Sequence, residues 1–325
     1  MKKILNSIWL NVKFYLFLDF YFTGRAMSKA LRSYLSQDGK VVISRLFTNK
    51  IVIKNYLVSA ISHCDEISNY FNSCNQEYFT VDDIIIKPSK LIFKKSSLPE
   101  VYEPKNLKYD NRLILLGCDK NSHPVYLNTK TSSGLFIGMG SGSGKSYFLK
   151  SVLRNMQNRK YQGYDIQIWD PKDENEFGEL KEENVSIIKT PEEALDRFKI
   201  LDEQISKNNN HPTLIVLEEY LIWTSTSSKN KEAKQLCSEL IEYITKSLRL
   251  WRSKGIFLII TTQSTLFTEQ EIDLNLVGNK LFSSVSLAAS TNLGISKIFV
   301  NRSDLKQGKF IISTGGTFQL MRAIK

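Results

Sequence analysis

The residues best suited to chemistry stand in "GLFIGMGSGSGKSYFLK" (Gly134–Lys150). Glycine lets the backbone adopt conformations that other residues resist, so consecutive N–H groups can converge on one anion. A helix pattern follows, and its positive N-terminal end points at the same place. Gly140, Ser141, Gly142, Ser143, Gly144, Lys145 and Ser146 are therefore candidates to cradle phosphates. In a loop ending G-K-[ST], the lysine reaches the β- and γ-phosphates and the hydroxyl binds Mg²⁺. ATP and Mg²⁺ are the expected cofactors. One position departs from the strict spacing: Met139 stands where the leading glycine belongs, between Gly138 and Gly140. A flexible Gly/Ser linker has a similar composition, but does not sit between an apolar strand and a helix.

Hydrolysing a triphosphate also requires neutralising the developing charge and placing a water in line. "TLIVLEEY" (Thr213–Tyr220) offers an apolar strand ending in two carboxylates. In such sites the first, here Glu218, helps Ser146 hold Mg²⁺, and the second, Glu219, orients or deprotonates the water. A glutamate at the first position is one methylene longer than the commoner aspartate, and two solvated carboxylates marking a strand end would give the same pattern. "GIFLIITTQS" (Gly255–Ser264) ends in Thr261, Thr262 and Gln263. A glutamine at a strand end can hydrogen-bond a γ-phosphate, or simply mark where the strand surfaces.

These groups need elements that bring several strand ends together. From Arg112 onward the pattern is regular. "RLILLG" and "PVYLN" read as a strand pair, and "GLFIG" leads into the loop. "YDIQIWD", "VSIIK", "TLIVLEE", "GIFLIITTQ", "KLFSSVS" and "GKFIIST" read as further strands. A helix is expected over Pro191–Ser206, and a longer one carries Leu236, Leu240, Ile244, Leu248 and Trp251 at three- and four-residue spacing. Strands alternating with helices predict an α/β fold, with a mostly parallel sheet covered by helices on both faces. Ligands bind such sheets beyond the carboxyl ends of the strands.

Before this region the chain is less regular. Residues 24–95 read as a small accessory α+β region with strands at "KVVISRLF" and "KLIFKK", and residues 96–111, with two prolines, as a linker. Residues 112–325 form the larger domain. The segment "ILNSIWLNVKFYLFLDFYF" (Ile4–Phe22), within residues 1–23, is apolar but carries Asn6, Asn11, Lys13 and Asp19 in different directions around a helix. Two readings stand: a helix docked on the protein or on a neighbouring subunit, or a membrane attachment, for which Lys13 and Asp19 would be costly.

The 325 residues are 42% apolar and carry a formal net charge of +11, which favours an acidic partner such as nucleic acid or anionic lipid. The four cysteines form no C-x-x-C pair and only three histidines accompany them, which argues against a zinc or disulfide framework and for a reducing compartment.

Taken in order, these motifs resemble the motor domain of the FtsK/SpoIIIE family of DNA translocases. "GMGSGSGKS" resembles its Walker A loop, "WDPK" (Trp169–Lys172) its D-P-K element, and "LIVLEEY" its Walker B strand. "RSKGIFLIITTQS" resembles the segment in which an arginine, a glycine and a strand lead into T-Q, and "GKFIIST" the terminal strand. The resemblance covers about two-thirds of the chain. It implies a RecA-like P-loop NTPase fold, a homo-hexameric ring and ATP-driven movement along double-stranded DNA without strong sequence preference. It also implies a cation supplied from the next subunit, with Arg252 the best-matched residue and Arg249 and Lys280 behind it. Met139 and Glu218 depart from the family pattern. The chain ends after the motor without a winged-helix module, which points away from the chromosome-segregating branch. With its apolar N-terminal segment it is similar to coupling proteins of conjugative plasmids and integrative elements. That implies a cytoplasmic motor at the inner face of the membrane with a transfer-machinery or relaxase partner. The alternatives are a phage or viral packaging or HerA-like ATPase, and a non-motor ATP-binding switch. The basic stretch Ser225–Lys234 is read as a pore-facing loop or an ordinary surface loop.

Overall fold

The computed structural model describes residues 50–54, 83–87, 90–94, 98–99, 101–103, 110, 112–158, 164–172, 176–180, 184–209, 211–224, 230–263, 272–273, 276–283, 285, 291, 305, 308–314 and 317–324. The apolar segment Ile4–Phe22 and the expected strand "KVVISRLF" lie outside them, as do Ser225–Lys229 of the basic stretch.

The chain divides into two compact units. The described part of the first is an antiparallel sheet of β1 (Lys50–Lys54), β2 (Asp83–Lys87) and β3 (Lys90–Lys94), in the order β1-β3-β2. Ile92 is the register partner of both Val52 and Ile85. Of these strands the sequence reading singled out only "KLIFKK".

The second unit, Leu98–Asn292 with Leu305–Lys325, is built on a ten-stranded sheet. Its strands are β4 (Leu113–Cys118), β5 (Pro124–Asn128), β6 (Gly134–Gly138), β7 (Asp165–Trp169), β8 (Val185–Ile188), β9 (Thr213–Leu217), β10 (Ile256–Thr262), β11 (Asn279–Phe282), β12 (Lys309–Thr314) and β13 (Thr317–Ala323). Their order is β5-β4-β13-β12-β11-β6-β10-β9-β7-β8. From β11 to β8 every pairing is parallel. From β11 back to β5 every pairing is antiparallel. The expected mostly parallel sheet is present, with an antiparallel wing at one edge. β12 pairs with β13 along its whole length, from Lys309 opposite Arg322 to Thr314 opposite Thr317.

The central strands are apolar runs buried along their whole length: β6, β9 and β10 expose no residue. That is the pattern of a sheet covered on both faces. On one face lies α1 (Lys145–Asn158), whose Phe148, Leu149, Val152, Leu153 and Met156 join Ile137, Ile168, Val216 and Ile259 in one apolar core. On the other lie α2 (Pro191–Ser206), α3 (Tyr220–Thr224) and α4 (Lys231–Leu250). There Trp169 contacts Phe198 edge-on at 4.7 Å between ring centroids and lies 5.9 Å from Trp223.

Local sequence sets the helix starts. Thr190 caps α2 by accepting a hydrogen bond from the Glu193 amide, with Pro191 in the first turn. Asn230 caps α4 in the same way through the Glu232 amide, so the last residues of the basic stretch open a helix. The buried stripe of α4 runs Cys237, Leu240, Ile244, Ser247 and Leu248, while Leu236 is only partly covered.

Candidate active site

Alternation along a strand decides which groups face α1. Ile168, Val216 and Ile259 point into the α1 core, so the residues two positions further on, Asp170, Glu218 and Thr261, share that face. All three lie at the carboxyl ends of adjacent strands, next to the loop between β6 and α1. The register makes this concrete: Thr262 of β10 is level with Gly138 of β6, and Trp169 of β7 with Leu217 of β9.

Met139 continues β6 by donating its amide hydrogen to the Thr262 carbonyl at 3.0 Å, and its side chain is fully buried in the α1 core. At the place of the missing glycine, therefore, this chain has a core residue, and the turn begins at Gly140. The turn is closed by the Ser143 amide on the Gly140 carbonyl at 3.3 Å. Gly142 and Gly144 have φ of 73° and 92°, the left-handed region where a side chain is disfavoured. A Cβ on Gly140 or Gly142 would meet nothing within 4 Å, so the mouth of the loop is open space. The buried Ser143 hydroxyl has no hydrogen-bond partner among the described residues. An open glycine cradle with an orphaned hydroxyl is what a phosphate group would fill, and the residues present fit a triphosphate.

Lys145, the first residue of α1, is buried and reaches across to the carboxylates. Its Nζ ion-pairs with Glu219 Oε1, lies 2.9 Å from Glu218 Oε1 and donates to Thr261 Oγ1 at 3.5 Å. Thr261 organises the group: its hydroxyl donates to Glu218 Oε2 at 2.7 Å and accepts the Glu219 amide at 3.1 Å. Gln263 donates its backbone amide, rather than a side-chain amide, to Glu219 Oε2 at 3.1 Å. Glu218 is fully buried. Its Oε1 faces a second cation, Lys172 Nζ, at 3.7 Å. Buried carboxylates are tolerable only when so paired.

Lys172 and Thr261 are the two members of this cluster that the sequence reading did not assign a role. Lys172 was legible only as the last letter of "WDPK". The Lys172 amide donates to Asp170 Oδ1 at 3.1 Å, while Asp170 itself is buried beneath. Thr261 was quoted as part of a strand end, and nothing in its spacing distinguishes it from Thr262.

Ser146 follows Lys145 at the start of α1, half-buried beside the loop. Arg252 lies elsewhere. It sits in a short 3-10 turn (Trp251–Lys254) that precedes β10, at the opposite edge of the sheet from the loop, and donates Nη1–H to the Thr131 carbonyl at 3.1 Å. Within one chain it does not reach the carboxylates. Arg249 is exposed in the last turn of α4. Lys280 is partly buried in mid-β11, opposite Phe136, and burial pushes its ammonium below the usual lysine value while Asp273 opposes the shift. Among the described residues no cluster of His, Cys, Asp and Glu forms a metal centre by itself. Mg²⁺ does not need one, because it is usually held by one or two protein oxygens together with substrate phosphates.

No family model matches this chain, and no curated protein sequence matches it. Among solved structures, the pCW3 conjugation coupling protein TcpA, in a monomer form with ATPγS, aligns over 91% of this chain and 92% of that one, at 17% identity and a TM-score of 0.59. The fold is that of the P-loop NTPases. The cytoplasmic domain of the type VII secretion ATPase EccC of Thermomonospora curvata aligns over 69% of this chain and 30% of its own, at 17% identity and a TM-score of 0.53. EssC (ATPases 2 and 3) of Geobacillus thermodenitrificans aligns over 77% and 56%, at 13% identity and a TM-score of 0.52. This P-loop NTPase fold fits the FtsK/SpoIIIE resemblance carried by the motifs.

Proposed function

We propose that the chain is a Mg²⁺-dependent ATPase motor that moves double-stranded DNA for transfer of a mobile genetic element. The observation that supports it best is the convergence of Lys145, Glu218, Glu219 and Thr261 under an open glycine cradle. Lys145 neutralises the β- and γ-phosphates, and the amides of Gly140–Ser146 hold them. Ser146 and Glu218 would hold the Mg²⁺, which supplies charge stabilisation on the phosphoryl oxygens. Glu219 accepts the proton of the attacking water, and Gln263 registers the γ-phosphate. The motor occupies residues 112–325, with the accessory region and the apolar segment before it.

Two features favour DNA as the substrate. The net charge is +11. The likeness to a conjugation coupling protein extends along nearly the whole of both chains, whereas this chain spans less than a third of the EccC cytoplasmic domain. Among the described residues no helix is long and apolar enough to cross a membrane, and the apolar segment Ile4–Phe22 lies outside them. We place the motor in the cytoplasm at the inner face of the membrane, assembled as a hexamer and docked to a transfer machinery. The decisive experiment measures ATP hydrolysis with and without duplex DNA, alongside particle size in ATP. Stimulation by duplexes of unrelated sequence, with binding that falls steeply with salt at a log–log slope of about −0.9 per phosphate neutralised, is expected. Hydrolysis indifferent to DNA would instead favour a nucleotide-dependent switch.

A further inference from the structure

We infer that the cavity beside the start of α1 is a nucleobase pocket that holds a purine by stacking and leaves its hydrogen-bonding edge unread, so that ATP and GTP bind alike. The inference rests on the phosphate-loop reading above and adds what selects the nucleotide.

The cavity has a volume of about 380 Å³ and shares Gly144 with the phosphate loop. A nucleotide with its phosphates in the cradle therefore has this space adjoining it. Tyr147, in the first turn of α1, stands at its mouth with 58% of its surface exposed, and Val101 lines it with 49% exposed. Large apolar side chains left in solvent on the rim of a concave site are surface that a flat apolar ligand would cover. Phe148 and Phe310, packed edge to face at 5.3 Å between centroids, lie beneath. The guanidinium of Arg322 lies along Gly308, where a Cβ would come within 3.5 Å of its Cζ. A tyrosine ring and a guanidinium plane are both stacking partners for a base.

The chemistry of the lining decides selectivity. Among the described residues no Asp, Glu, Asn, Gln, Ser or Thr lines the cavity. Adenine and guanine differ in the donors and acceptors on the edge at positions 1, 2 and 6. Strong discrimination needs protein groups that would be left unpaired by the wrong base. An apolar stacking site lacks them. It separates bases by ring area, so purines bind more tightly than pyrimidines.

The test is calorimetric titration of the full chain, with Mg²⁺, by ATPγS, GTPγS, a non-hydrolysable CTP analogue and inorganic tripolyphosphate. ATPγS and GTPγS are expected within about tenfold of each other, and the cytidine analogue weaker than both. Tyr147→Ala, a change at an exposed position that the fold does not need, should weaken both purine nucleotides by roughly 5- to 100-fold and leave tripolyphosphate unchanged, while Tyr147→Phe keeps the affinity. A preference of more than about a hundredfold for one purine would overturn the unread edge. Unchanged purine affinity in Tyr147→Ala would overturn the pocket. If tripolyphosphate does not bind, or binds Lys145→Ala as well as the parent, the phosphate-loop reading itself fails, and the base pocket falls with it.

Discussion

Glu219 shows how much a single backbone angle can decide. Simple alternation would send its side chain to the face opposite Glu218. Instead its φ is 51°, in the left-handed region, a conformation that costs a non-glycine residue about 1–2 kcal/mol. The Thr261 hydroxyl on its amide and the Gln263 amide on its carboxylate hold it there. The result is that both carboxylates meet Lys145. Strain maintained at such a point fits a functional group. Glu219→Gln keeps the size and the acceptor for Gln263 but removes the basicity. Nucleotide should still bind, and hydrolysis should fall by roughly 10²–10⁴, the scale of a lost general base. Glu218→Gln should instead raise the Mg²⁺ concentration required for turnover. Hydrolysis rates across a Mg²⁺ titration distinguish the two; wild-type turnover in Glu219→Gln beside a dead Glu218→Gln would reverse their roles.

At the scale of elements, the glycine loop lies between a strand and a helix and leaves room at its centre. Gly140 and Gly142 both border that room, but only Gly142 is left-handed. Gly140→Ala should therefore leave the melting temperature unchanged and still weaken nucleotide binding, because its methyl group occupies the cradle. Gly142→Ala should do both, losing about 1 kcal/mol of stability as well. Thermal melts paired with ATPγS titration check this pair; a Gly140→Ala variant of normal affinity would show that phosphates do not enter there. Met139 belongs to the same element but to the core, so Met139→Ala should lose about 2–5 kcal/mol in a denaturant titration.

For the whole molecule, the position of Arg252 matters most. It lies at the sheet edge away from its own loop, so any role in hydrolysis must be played at a neighbour's site. Arg252→Ala should bind ATP normally and lose about 10³–10⁵ in rate as an assembled ring. Rings mixed from Arg252→Ala and Lys145→Ala chains should regain turnover only where an intact loop meets an intact arginine. Full activity of pure Arg252→Ala rings would exclude it as that cation. Much of the rest was written in local pattern. The glycine-rich loop between a strand and a helix, the apolar strand ending in paired carboxylates and the helix over Pro191–Ser206 are short-range signals, and the strands and helices they predict are present. The sequence by itself determined that this chain builds a mostly parallel sheet with a glycine-rich loop at its carboxyl edge, because apolar runs and glycine spacing act within a few residues. Only the tertiary structure decided which distant groups meet. Thr261 and Lys172 join Glu218 because β10, β9 and β7 are neighbours in the sheet. Tyr102, in the stretch read as a linker, is buried and pairs with Ile324 to wall the cavity beside α1, because the antiparallel wing brings the two ends of the unit together. Strand order is fixed by how whole faces are buried, and no local window of sequence carries that.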